Sequence, residues 1–187
     1  VVQEALMMEG MNEKGLSAGL FYFPDYGKYE EYSETNYETN ISDFQLVSYI
    51  LGRCATVDEV KAEIARVHIH GFDPRSSTVH WRFAEPSGRQ IVLEIIDGKC
   101  VFYENKLGVL TNSPSFDWQL TNLNNFVNLM PGRTEPHTIG NMSLSSFGGG
   151  SAMIGLPGDF TPPSRFVRAA FFQSTAPQKP DAEGSVF

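Results

Sequence analysis

Four kinds of side chain here have the type and spacing to do chemistry: two thiols, four imidazoles, an arginine at a helix start and an asparagine at a strand end. Cys54 and Cys100 form no CxxC pair and have no histidine at ligand spacing, which gives no metal or redox site. Cys54 closes an apolar helical pattern and Cys100 lies in an expected strand, so both read as buried structural thiols. His68 and His70 alternate as on a strand without a third ligand, and His80 and His137 read as structural or exposed. No metal and no other cofactor is expected. Arg165 falls in the first turn of an expected helix, where the macrodipole disfavours a cation, so an acid or a ligand readily recruits it. Arg168, a turn later, reads as an ordinary structural or salt-bridge residue. Asn112, in Thr111-Asn112-Ser113-Pro114, carries an amide donor, and its local reading is a turn asparagine before proline. Tyr22 lies in an apolar strand and reads locally as core.

The elements that must position these residues follow from periodicity. Gly15–Phe23 is small and apolar, then aromatic, which suits a strand buried on both faces and stopped by Pro24. Asp25–Asn40 reads as a surface loop. Capping boxes at Ser42/Gln45 and Thr56/Glu59 open two helices that carry Ile41, Phe44, Val47, Ile50 and then Val57, Val60, Ile64, Val67 at helical spacing. After a loop at Gly71–Ser77 the period changes to two: Val79, Trp81 and Phe83 face one way, His80 and Arg82 the other. Ile91–Ile96 is a second strand, Asp97-Gly98 a hairpin turn and Cys100–Tyr103 the return. A short strand is expected at Gly108–Leu110 and a third helix over Phe116, Leu120, Leu123, Val127 and Met130. Gly132–Phe160 is irregular and glycine-rich, and a last helix is expected from Ser164 with Phe166, Val167, Ala170 and Phe171. Helices come in blocks instead of alternating with strands, so the class is α+β, with helix pairs on sheet faces.

The chain of 187 residues, 41% hydrophobic and 12% aromatic, is long enough for one packed domain spanning 1–187. A net charge of −8 argues against a nucleic-acid partner, which needs a basic footprint. No run reaches the roughly 18 apolar residues of a membrane helix, so no membrane partner is expected. The start at Val1 is neither an initiator Met nor a signal peptide, and Gln178–Phe187 reads as a solvated tail or a cut loop. Both natural termini are expected to lie outside the chain.

Four segments carry a resemblance: EGMNEKGL (Glu9–Leu16), ATVDEVK (Ala55–Lys61), GVLTNSPSFDWQLTNLN (Gly108–Asn124) and LPGDFTPPSRFVRAAF (Leu156–Phe171). In order and spacing they resemble the choloylglycine hydrolases and penicillin V acylases. The resemblance implies an Ntn-hydrolase fold, an αββα sandwich of two antiparallel sheets between helix layers, present here in part. It implies a cysteine nucleophile whose own α-amino group is the base. An amine with a pKa near 7.7–8.0 can take and return the proton while the thiolate attacks the amide carbon. The charge developing on the carbonyl oxygen then needs fixed donors. Val1 is not cysteine, and Cys54 and Cys100 are internal. The family's nucleophile, with the Arg and Asp that follow it, would lie upstream of Val1.

Three positions carry over by resemblance. Asn112 is similar to the family's oxyanion donor, and Arg165 to its charge-stabilising arginine. Tyr22 occupies a place where penicillin V acylases have tyrosine and bile salt hydrolases usually asparagine. With Phe23 and Tyr26 it would help line the substrate pocket, and Tyr26, Tyr29, Tyr32 and Tyr37 form either an apolar rim or ordinary loop packing. The segment 132–160 resembles an extension that packs against neighbouring subunits, implying a homotetramer, and it fits cytoplasmic members better than exported ones. The expected substrate is a small amide (penicillin V, a conjugated bile salt or another N-acyl amide), with the acylase reading ahead of the bile salt reading. A non-catalytic ligand-binding relative and a purely structural oligomerising domain are the competing classes.

Overall fold

The computed structural model describes residues 6–73 and 75–177. The tail Gln178–Phe187 and Val1 therefore lie outside the described residues. The chain divides into two compact units, Val1–Gln119 and Leu120–Phe187.

The first unit is built on a five-stranded antiparallel sheet of β1 (Glu9–Met11), β2 (Ser17–Tyr22), β5 (Val79–Ala84), β6 (Gln90–Ile96) and β7 (Lys99–Glu104), in the order β1-β2-β5-β6-β7. Short strands β3 (Asn40–Ser42) and β4 (His68–His70) pair in parallel beside it. Helices α1 (Leu46–Leu51) and α2 (Val57–Ile64) cover one sheet face. Leu20, Trp81, Phe83, Ile91 and Leu93 point into that face and meet Leu46, Ile50, Val57, Val60 and Ile64 in one buried cluster. Burying each such side chain stabilises by about 1.5–3 kcal/mol relative to exposure. The period-two reading of β5 therefore holds: its other face carries His80 and Arg82.

Both capping boxes form. At Thr56 the hydroxyl accepts from Glu59 N at 3.3 Å and the Glu59 carboxylate accepts from Thr56 N at 3.1 Å. At Ser42 the box opens a 3-10 turn, Asp43–Gln45, before α1 begins. The Asp97-Gly98 hairpin turn has positive φ at both residues (48° and 72°), as a two-residue turn of the primed type requires.

Asn12 explains the EGMNEKGL segment. Its Nδ2 donates to the carbonyls of Leu51 (2.9 Å) and Cys54 (2.7 Å), and its Oδ1 accepts from the amides of Lys14 (3.1 Å) and Leu16 (3.0 Å). One side chain thus closes the β1–β2 turn and satisfies carbonyls that the end of α1 leaves open.

Several expectations need correction. Gly108–Leu110 is not a strand: Asn105 latches it, donating from Nδ2 to Val109 O (3.1 Å) and accepting from Gly108 N (2.9 Å). The third helix, α3 (Phe116–Asn122), gives way to a 3-10 turn, Leu123–Phe126, and Val127 and Met130 are exposed. Asn124 Nδ2 donates to Thr121 O at 2.8 Å, the local competition by which asparagine ends helices. Cys54 is buried as expected, but Cys100 is exposed, because β7 is an edge strand.

In the second unit, residues 132–160 are not wholly irregular. They hold the hairpin β8 (His137–Ile139) and β9 (Met142–Leu144), and a 3-10 turn at Ser151–Met153. Helix α4 (Pro162–Thr175) starts two residues before Ser164, with Thr161 as N-cap and proline in the first turn, where its missing N–H costs nothing. Phe166, Val167, Ala170 and Phe171 are its buried residues, as the periodicity requires.

Candidate active site

Tyr22 is the last residue of β2, and Asn112 lies in the stretch that follows the Asn105 latch; the fold brings the two together. Asn112 Nδ2 donates to the Tyr22 carbonyl at 2.8 Å, and Ser113 Oγ donates to the Pro24 carbonyl at 2.6 Å. Gln119 Nε2, almost fully buried, donates to the Asn112 carbonyl at 3.3 Å. The Asn112 side chain is therefore held in one orientation against the end of β2.

The three pocket candidates differ. Tyr22 is 53% exposed and Tyr26 49%, so both present ring surface to solvent. Phe23 is fully buried; its ring stacks on His80 at 4.4 Å with 10° between planes, and the Tyr26 ring lies 6.0 Å from it. Of the other tyrosines, Tyr32 and Tyr37 are exposed, whereas Tyr29 packs against the core and its hydroxyl accepts from Val79 N at 2.7 Å. Burial, and then the nearby Asp43 carboxylate, push the Tyr29 phenol well above its ordinary range.

Behind Asn112 lies a buried hydrogen-bonded pair on the sheet face opposite the helices. His80 and Glu94 are both fully buried. His80 Nδ1 is 3.0 Å from Glu94 Oε1, His80 Nε2 is 3.2 Å from the Thr111 carbonyl, and Glu94 Oε1 also accepts from Phe116 N at 2.9 Å. The pair was not singled out from sequence, where His80 read as structural or exposed. The signal was a glutamate inside the β-branched run Ile91–Ile96 with a histidine on the neighbouring strand's same face.

Arg165 belongs to the second unit. It sits in the first turn of α4, its Nε donating to the Phe160 carbonyl at 3.0 Å. The preceding loop is tightly tied: Asp159 accepts from Thr161 N (2.9 Å), Thr161 Oγ1 (2.5 Å) and Ser164 Oγ (2.7 Å), and these bonds hold its carboxyl down at about 2. Of the two readings of Arg168 the structural one holds: its Nη1 donates to the Pro157 (2.8 Å) and Asp159 (2.6 Å) carbonyls. The PGD-(x)4-SRF segment is thus a self-bonded loop that fixes the start of α4.

Neither cysteine here is placed as a nucleophile. Burial pushes the Cys54 thiol up to about 11, so it stays protonated at neutral pH, and Cys100 lies on an edge strand. Among the described residues no group of three His, Cys, Asp or Glu is placed to hold a metal, and no helix is long and apolar enough to cross a membrane.

Comparison with known proteins identifies the class. The family model of the linear amide C–N hydrolases, choloylglycine hydrolase family, matches residues 1–187, and the chain belongs to that family. A bile salt hydrolase/transferase of Clostridium perfringens is 39% identical over 170 residues, covering 88% of this chain and 51% of that protein. A penicillin V acylase of Pectobacterium atrosepticum is 32% identical over 172 residues, covering 88% and 40%. Among solved structures, a variant of the conjugated bile acid hydrolase of Clostridium perfringens superposes with a TM-score of 0.80 at 37% identity, over 90% of this chain and 52% of that one. Penicillin V acylase from Agrobacterium tumefaciens gives 0.75 at 26% identity, over 98% and 51%. The fold is therefore the α+β Ntn-hydrolase type of these enzymes, and the chain spans about half the length of the relatives it matches.

Proposed function

We propose that this chain is part of an enzyme that hydrolyses a linear C–N amide joining an apolar acyl group to a small amine. The observation that carries the reading is the Asn112 amide, pinned by the Tyr22 carbonyl at 2.8 Å at the end of the strand that carries the exposed Tyr22 ring. Asn112 donates to the oxyanion, Arg165 stabilises charge, and Tyr22 and Tyr26 line the acyl site. The attacking thiol is an N-terminal cysteine that residues 1–187 do not contain, with its α-amine as the base.

Penicillin V is the leading substrate, because Tyr22 offers a flat ring to a phenoxyacetyl group. A second reading, deconjugation of bile salts, has its own support in the higher identity to bile salt hydrolases, 39% against 32%. Amine release by the full-length protein from penicillin V and from glycocholate separates them. A larger kcat/KM for penicillin V is expected; a much larger one for glycocholate reverses the order. Hydrolysis of neither, with a cysteine at the mature N-terminus, points to another N-acyl amide as substrate; a residue other than serine or cysteine there favours the binding relative.

The extension 132–160 is the proposed assembly surface of a homotetramer. It exposes Ile139, Met142 and Phe147, and a cavity of about 650 Å³ there is lined by Leu144, Phe147 and Ile154 among others. Apolar surface of this kind is more often covered by a partner than left in water.

A further inference from the structure

The pair His80–Glu94 is fully buried, and among the described residues its outward hydrogen bonds end on the segment that carries Asn112. We propose that His80 and Glu94 are positioning residues that hold the Asn112 amide in its donating orientation; this rests on the oxyanion reading of Asn112. The bonds form a clamp. Through His80 Nε2 the pair grips the Thr111 carbonyl (3.2 Å), and through Oε1 the same glutamate grips the Phe116 amide (2.9 Å), so one carboxylate fixes both ends of the span that contains Asn112. The ring itself is braced by Phe23, stacked on it at 4.4 Å, and by Phe21, edge-on at 6.2 Å. The line Glu94–His80–Thr111–Asn112–Tyr22 runs from the sheet interior to the candidate site without a gap.

The hydrogen-bond stoichiometry fixes what the pair must be. A carbonyl only accepts, so His80 Nε2 carries a hydrogen toward Thr111. Phe116 N–H and His80 Nδ1 both meet Glu94 Oε1, so a single hydrogen lies between Nδ1 and that oxygen, while Glu94 Oε2 is buried without a partner among the described residues. Apolar side chains would fill positions 80 and 94, and a buried polar pair adds little net stability over them. They would, however, leave the Thr111 carbonyl and the Phe116 amide without these partners, and the span would lose its anchor.

Glu94→Gln tests this while keeping size and shape. If glutamine keeps its oxygen toward Phe116 N, His80 must place its hydrogen on Nδ1, and Nε2 then turns a lone pair on Thr111 O. If the amide turns instead, Phe116 loses its acceptor. Either way one end of the clamp opens. In the full-length enzyme, with rates taken per titrated active site, Glu94→Gln is expected to lower kcat by about 10–100-fold, with KM within about threefold. The double variant with Asn112→Ala should be no slower than Asn112→Ala alone, because both act on one donor. If Asn112→Ala leaves kcat intact, the oxyanion reading of Asn112 fails. If Asn112→Ala is slow while Glu94→Gln stays within twofold of wild type, or if the two losses multiply, the clamp is overturned. A second measurement needs no variant: nitrogen NMR of the unmodified protein should show His80 Nε2 protonated, and a neutral Nδ1–H tautomer overturns the proposal whether or not Glu94→Gln folds.

Discussion

Asn12→Ala should cost the protein stability out of proportion to its position at a surface turn. The side chain makes four hydrogen bonds between 2.7 and 3.1 Å, two donated to the Leu51 and Cys54 carbonyls and two accepted from Lys14 and Leu16 amides. A net contribution of about 0.5–1.5 kcal/mol per bond, taken at the lower half because the site is only half-buried, gives roughly 3 kcal/mol. For a chain of this size that corresponds to about 6–12 °C in Tm. Asn12→Asp separates the two halves of the knot. It keeps both acceptors for the turn amides but sets a carboxylate oxygen against two carbonyls, so it should be no more stable than alanine. Thermal unfolding followed by circular dichroism reads both variants, and activity of the folded fraction at low temperature should be unchanged, because Asn12 is remote from Asn112 in the hydrogen-bond pattern. A loss under about 1 kcal/mol for Asn12→Ala would refute the reasoning, since the four bonds would then be replaced by water without penalty.

Arg165→Ala should lower kcat of the full-length enzyme by at least about tenfold, with Arg165→Lys recovering part of it if charge is what matters; equal rates for all three remove Arg165 from the mechanism. Glu104 is held down at about 2, first by its bonds to Arg89 and then by Lys61, against an ordinary value of 4.5. Its folded-state pKa is depressed, so its stabilisation is complete above 4.5 and is lost as pH falls toward about 2. Glu104→Gln should therefore be slightly less stable than wild type at pH 7, by less than about 1 kcal/mol, and the two denaturation curves should converge in acid. Phe147→Glu, which charges an exposed apolar ring of the extension, should shift the assembly toward smaller species in light scattering while leaving the monomer's thermal unfolding in place.

The sheet and its helix layer were legible because their signals are local. Trp81 and Phe83 alternate with His80 and Arg82, the capping boxes at Ser42 and Thr56 announce their helices, and Asp97-Gly98 demands a hairpin. What misled was side chains replacing backbone partners. Asn105 satisfies Gly108 and Val109 where a strand ladder was expected, and Asn124 ends a helix that apolar spacing alone would extend to Met130. The parallel pairing of Asn40–Ser42 with His68–His70 was hidden because both partners are short and the helix pair separates them. At the candidate site, Asn112 and Tyr22 were legible only through the family's motifs. The contact between them spans ninety positions, and no local pattern encodes it. His80 and Glu94 were each visible, yet their pairing depends on strand register, which spacing within one strand does not reveal.

The most direct test is the hydrolysis rate of Asn112→Ala in the full-length protein on whichever amide the wild type prefers. If the Tyr22-anchored amide is the oxyanion donor, kcat per active site falls by about 10²–10³ while KM and Tm change little. A kcat within twofold of wild type contradicts the account, and Asn112 is then a turn residue whose bond to Tyr22 only shapes the chain.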